Sequence, residues 1–220
     1  MRVTVLVSGG GANLQALLDL LYFDELPEME LVGVVSSAAG VYALERAANA
    51  GVPTYLVERE LFPNDDSFST ALLHKLRDLD TELVVCAGFT QRVSNAILRY
   101  YRSRVINVQP VLFPAFCAGT LDPVQAVRST LRLGLRVSGA TAYLMGREDN
   151  GYGPVIAQRT TEVLPGDTPA SLSERILREC EQPALVEAVR LFCRGCLRPE
   201  DGRVRIIAAP EQQQENKKMR

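Results

Sequence analysis

One histidine, His74, is all the imidazole that this 220-residue chain contains. It stands in "LLHKLRD", off the apolar stripe of a helical pattern, and reads as a solvated helix residue. A basic excess is missing too: 24 Lys and Arg face 26 Asp and Glu, for a net charge of −2. Nucleic-acid binding needs a basic patch, so no nucleic acid is expected as a partner. No apolar run reaches the ~18 residues that a bilayer span requires, so no membrane is expected either. The N-terminus enters a strand pattern at once, which leaves no room for a signal peptide and points to the cytoplasm. Cysteines are few and odd in number: Cys86, Cys117, Cys180, Cys193 and Cys196. A chain this long can bury a core without disulfide staples. Cys193 and Cys196 form a CxxC, but no second pair and no nearby histidine completes a four-ligand zinc site. A redox CxxC usually opens a helix, whereas "FCRGC" ends one, so the pair reads as incidental. No metal is expected.

What is present is ordinary in bulk, with 47% hydrophobic and 23% charged residues, and regular in order. "RVTVLVS" is apolar on both faces, as a strand inside a parallel sheet should be. "NLQALLDLL" follows as a helix. Strand patterns "ELVGVVSS", "PTYLVE", "ELVVCAG" and "RVINV" then alternate with helical ones, "YALERAANAG", "SFSTALLHKLRDL" and "SNAILRYY". In the third helix Phe68, Ala71, Leu72, Leu76 and Leu79 share a stripe. This alternation predicts a doubly wound α/β domain with a mostly parallel sheet. From Val137 the texture changes. "VSGATAYLM" and "PVIAQRTTEVL" read as longer strands around a loop, "REDNGYG". A long helix is predicted over 171–192, kinked or broken at Pro183. "RVRIIA" predicts a last strand. Residues 1–208 are expected to form one domain, with 1–110 as a phosphate-binding half and 111–208 as the other half. The polar stretch 209–220 is expected to be a disordered tail.

The most informative stretch is "VSGGGANLQALLDL", a glycine-rich turn between the first strand and the first helix. Such a turn presents bare backbone N–H groups and the positive end of a helix dipole, which suits an anion. A dinucleotide site would need Gly or Ala at Leu14 and an acid after the second strand, where Ser36 and Ser37 stand. A Walker loop would need GKS or GKT, and there is none. The pattern fits a single phosphate held by Gly10, Gly11, Ala12 and Asn13, with Asn13 as a capping side chain. The alternative is a tight turn with no ligand, at the entropic cost of three glycines.

At this point the chain resembles the glycinamide ribonucleotide formyltransferase family. The motifs are "VTVLVSGGGANLQALLD", "VVSSAAGVYALERAANAGVP", "LVVCAGFTQRVS", "RVINVQPVLFPAFC", "GATAYLM", "GPVIAQ" and "VLPGDTPASLSERI". They cover nearly the whole chain. The resemblance implies a Rossmann-like formyltransferase fold and formyl transfer from 10-formyltetrahydrofolate, as cosubstrate, to the amine of glycinamide ribonucleotide in purine biosynthesis. It implies small-molecule partners, no metal, and a monomer or homodimer. It places the ribonucleotide phosphate at Gly10, Gly11, Ala12 and Asn13, and a ribonucleotide-holding carboxylate at Glu181. The folate would lie in a cleft against the C-terminal half, near Thr90, Gln91, Arg92, Val93, Tyr143 and Tyr152.

The family's catalytic Asn-x-His-Pro reads "NVQP" here, so Asn107 is kept and Gln109 replaces the histidine. The catalytic aspartate falls at Asn150, with Asp149 beside it, in a loop one residue longer than the family's. A further family histidine falls near Gln125. Asn107 can donate an amide N–H to a developing oxyanion. Gln109 does not titrate, and losing an acid–base group typically costs ~10²–10⁴ in rate. Two readings of function stay open: an impaired formyltransferase, or an inactive paralogue that binds a phosphorylated ligand or a protein partner.

Overall fold

The computed structural model describes residues 1–113, 123–146 and 153–209. Five parallel strands and two antiparallel ones make one sheet. The parallel strands are β1 (Arg2–Val7), β2 (Glu30–Ser36), β3 (Thr54–Leu56), β4 (Leu83–Cys86) and β5 (Val105–Gln109). The antiparallel ones are β6 (Val137–Leu144) and β7 (Val155–Glu162). Their spatial order is β3-β2-β1-β4-β5-β6-β7. The helices are α1 (Ala12–Tyr22), α2 (Tyr42–Asn49), α3 (Asp65–Asp78), α4 (Asn95–Tyr100), α5 (Pro123–Arg132), α6 (Pro169–Ile176) and α7 (Gln182–Cys193).

Strand alternation divides the core into two layers. Val3, Val5 and Val7 of β1 pack with Leu14, Leu17 and Leu18 of α1, with Ala43 and Ala47 of α2, and with the C-terminal helices. Leu6 points the other way, to Phe68, Leu72 and Leu76 of α3 and Ile97 of α4. In β4 Leu83 and Val85 join the first layer, and Val84 and Cys86 the second. Both faces are covered, which is why these strands carry no polar alternation. On the expected stripe of α3, Phe68, Leu72 and Leu76 are buried while His74 is exposed.

The order of strands reverses between β1 and β4. Ligands of open α/β sheets bind outside the carboxyl ends of strands at such a switch point. Here that edge gathers the turns after β1, β4 and β5.

The C-terminal helix differs from the expected one. It begins at Pro169, with Thr168 and Ser171 forming a capping box. Asp167 braces this start by accepting from the Leu164 N–H and pairing with Arg175. Pro183 neither breaks nor ends the helix. A single π-helical turn, Leu177–Glu181, joins α6 to α7, and Pro183 sits in the first turn of α7. A proline has no N–H and clashes with the carbonyl four residues back. A wider turn just before it accommodates that clash without a break. Cys193 closes α7, and Cys196 leads into β8 (Leu197–Glu200), which pairs with β9 (Arg203–Ile206). Both thiols are free. The sequence pattern predicts β9 but neither β8 nor α5. Residues 210–220, most of the expected tail, lie outside the described residues. Among the described residues no helix is long and apolar enough to cross a membrane.

Candidate active site

The glycine turn is defined by where its carbonyls go. Val7 O accepts from the Ser37 N–H at 3.1 Å, Gly9 O from the Ala43 N–H at 3.2 Å, and Gly11 O from the Gln15 N–H at 2.9 Å. Gly10 O accepts from Arg46 Nε at 3.0 Å. In a trans peptide the N–H points opposite to the carbonyl. The N–H groups of Gly10 and Gly11 therefore face away from α2, that of Ala12 faces away from the body of α1, and none of the three has an acceptor among the described residues. They stand at the positive end of the α1 dipole, an arrangement of the kind that suits an anion. Gly11 is the N-cap residue at φ 74°, and a Cβ there would lie 2.7 Å from Ala43 Cβ and 2.8 Å from its Cα. Only glycine satisfies both the backbone angle and the space.

Asn13 does not cap α1, contrary to the sequence expectation, since no side-chain cap is present. Its Nδ2 donates instead to Glu181 Oε2 at 2.7 Å, and its buried Oδ1 has no donor among the described residues. The next residue, Gln182, donates from Nε2 to Ala12 O at 2.8 Å. Two consecutive residues at the end of the π turn thus hold two consecutive residues at the start of α1. Burial pushes the Glu181 carboxyl above its ordinary range, and the Asn13 amide pulls it partly back.

A cleft of about 430 Å³ opens beside this turn. Asn107, Gln109 and Tyr143 line one wall, and Thr90, Gln91, Arg92 and Val93 line another. Phe89, Asn95, Leu98 and Met145 complete it. Asn107 and Tyr143 are partners across the β5–β6 ladder, and Asn107 Nδ2 donates to Tyr143 Oη at 2.9 Å. Asn107 Oδ1 accepts from the Val108 N–H at 2.9 Å, which fixes which end of the amide carries the hydrogens. The second Nδ2 hydrogen has no acceptor among the described residues. The Phe113 ring packs on Tyr143 at 4.9 Å. The turn and the cleft share a post: Ser8 Oγ accepts from the Thr90 N–H at 3.0 Å and shares a hydrogen bond with Ser37 Oγ at 2.7 Å.

The structure therefore collects Gly10, Gly11, Ala12, Asn13 and Glu181 at one point, and Thr90, Gln91, Arg92, Val93, Asn107, Gln109 and Tyr143 around one cavity. The cavity draws mostly on residues before 111, and the glycine turn is held by residues 181 and 182. Gln125 lies exposed on α5, outside that cavity lining. Asp149, Asn150 and Tyr152 lie outside the described residues, as does Cys117. Sequence reasoning missed Arg46, Gln182 and Ser8. Nothing in "LERAANAG" separates Arg46 from a solvated helix residue until α2 is seen against the turn.

A glycine turn at the switch point of a doubly wound sheet, beside a polar cleft, defines the class: an α/β protein of the doubly wound type with a candidate ligand site at its switch point. The family model for formyl transferase matches residues 1–189. The phosphoribosylglycinamide formyltransferase of Mycobacterium tuberculosis is 35% identical over 188 residues, which are 86% of this chain and 83% of that one. The crystal structure of glycinamide ribonucleotide transformylase 1 from Symbiobacterium toebii superimposes with a TM-score of 0.86 at 37% identity, covering 94% of each chain. The trifunctional purine biosynthetic protein adenosine-3 of Bos taurus is 34% identical over 92% of this chain, which spans only 19% of that longer protein. The chain belongs to the phosphoribosylglycinamide formyltransferase family.

Proposed function

We propose that the chain transfers a formyl group from 10-formyltetrahydrofolate to the amine of glycinamide ribonucleotide, at a rate well below that of relatives carrying an imidazole and a carboxylate in the cleft. One observation carries this reading. Among the described residues, the wall that presents Asn107 and Gln109 contains no Asp, Glu or His.

The phosphate is held by the N–H groups of Gly10, Gly11 and Ala12, and Glu181 holds the sugar hydroxyls. The substrate amine then attacks the formyl carbon. Asn107 donates its second amide hydrogen to the oxygen as that oxygen becomes negative. The bond from carbon to the folate nitrogen breaks, and the proton lost by the amine is returned to that nitrogen. Gln109 can orient a water for this passage but cannot itself give or take the proton at neutral pH. What remains is catalysis by positioning and oxyanion stabilisation. The reaction takes place in the cytoplasm, on a monomer or homodimer.

A steady-state assay with glycinamide ribonucleotide and a 10-formyl folate tests this. The expected kcat lies ~10² or more below that of a relative with the full Asn-His-Asp set. Turnover at ordinary enzyme rates would overturn the impairment and point to Asp149 or an ordered water as the proton carrier. No turnover, with the ribonucleotide still bound, would leave the second reading, a non-catalytic binder of a phosphorylated ligand. The intact set of inward N–H groups at the glycine turn favours retained binding under either reading.

A further inference from the structure

We propose that Arg46 is the positioning residue of the phosphate turn, holding the Gly10 carbonyl back so that the Gly11 N–H is presented to a phosphate monoester. The proposal rests on the phosphoribosyl reading above and adds to it a residue outside the turn itself. Arg46 lies one helical turn after Ala43 on α2, so the Ala43 N–H and the Arg46 side chain reach the same face. That face lies under the glycine turn. Arg46 Nε donates to Gly10 O at 3.0 Å, and Arg46 Nη1 donates to Gln15 Oε1 at 2.7 Å. The guanidinium carbon sits 4.6 Å from the centre of the Tyr42 ring, which fixes its plane.

The carbonyl of Gly10 and the N–H of Gly11 belong to one peptide. Rotating that peptide would turn the N–H away from the ligand and the oxygen toward it. Gly9 and Gly11 are tied by backbone donors that the fold supplies in any case. Among the described residues the Gly10 carbonyl is tied by the Arg46 side chain alone, and its flanking residues are glycines with the freedom to rotate. A cation on the carbonyl also polarises the N–H of the same peptide and strengthens it as a donor. The planar fork reaches two acceptors in different directions, which an ammonium on a single stem does not. Among the described residues no other basic side chain is hydrogen-bonded to the turn.

The test uses the full chain and titration calorimetry with ribose 5-phosphate, with inorganic phosphate as a second probe. Arg46→Met is expected to weaken ribose 5-phosphate by about tenfold, as for loss of a charge-assisted hydrogen bond. Arg46→Lys, which keeps the charge and one contact, recovers part of that loss. Gln15→Met, which removes only the far end of the fork, costs less than Arg46→Met. Wild-type affinity falls more steeply with added salt than that of Arg46→Met, a difference that a purely structural role would not produce. A wild-type chain that binds ribose 5-phosphate, with Arg46→Met binding it equally well, overturns the proposal alone. A loss of binding that only tracks loss of folded protein by circular dichroism also overturns it. A wild-type chain that binds no ribose 5-phosphate overturns the phosphoribosyl reading and this proposal together.

Discussion

The glycine turn and the cleft stand side by side at the carboxyl ends of β1, β4 and β5, but they are made of different materials. The turn is backbone, tied by Ala43, Arg46, Gln15 and Gln182 so that its donors face one way. The cleft is side chain, and its chemistry is whatever Asn107, Gln109 and Tyr143 supply. A backbone site survives substitution nearly everywhere except at the glycines and their braces. A side-chain site loses its chemistry with one residue and keeps its shape. Phosphate binding and formyl transfer, as proposed for the turn and the cleft, can therefore be broken separately.

The largest effect should come from restoring the cleft. Gln109→His together with Asn150→Asp is expected to raise kcat by the ~10²–10⁴ of a regained acid–base group. Gln109→His alone recovers little, because an imidazolium there would lack its carboxylate. Equal gains from the single and double variants would show that the two positions do not act as a unit.

Asn107→Ala should remove what catalysis the wild-type chain retains, lowering kcat by ~10²–10³ as for loss of an oxyanion donor. Calorimetric binding of the ribonucleotide should be unchanged, since the side-chain hydrogen bonds of Asn107 go to Tyr143 and Val108 and not to the turn. A loss of nucleotide affinity in this variant would mean that the two regions are one site.

Gly11→Ala attacks the turn directly. The added methyl would meet Ala43 at 2.7 Å with the backbone at φ 74°. About 1–3 kcal/mol of stability should be lost to overpacking, read from chemical denaturation, together with ribose 5-phosphate binding. A variant that folds and binds normally would show that the turn is not the phosphate site.

Glu181→Gln should produce the smallest change and one with opposite signs. Burial raises the folded-state pKa of Glu181 above its ordinary value of 4.5. Between the ordinary and the folded value the folded chain therefore holds a proton that the unfolded chain releases. The stability this residue supplies is full below that ordinary value and falls as pH rises toward the folded value. Glutamine removes that fall and keeps an oxygen for Asn13 Nδ2. The variant should melt higher than wild type at pH 7, with the difference vanishing near pH 4, while its ribonucleotide affinity drops. A variant less stable than wild type at pH 7 would show that Glu181 is held ionised by a partner that its present contacts do not include.

Much of this molecule could be read from the sequence alone. Strand β4 is apolar at every position, and β1 at Val3 and from Val5 to Val7, because both faces of a parallel sheet are covered, and that local composition needs no tertiary knowledge. The stripe of Phe68, Leu72 and Leu76 and the exposure of His74 follow from helical period alone. The glycine turn, with its left-handed Gly11 against Ala43, is legible as a tight strand-to-helix turn, and the anion it suggests is what the variants above test. Tertiary structure decided the rest. Asn13 finds Glu181 across 168 positions and so does not cap its own helix. Pro183 is absorbed by a π turn that brings Glu181 and Gln182 onto α1. Arg46 looks like any exposed helix arginine until α2 packs beneath the turn. Each of these depends on which groups meet across the fold, and periodicity and composition carry no information about partners so far apart in the chain.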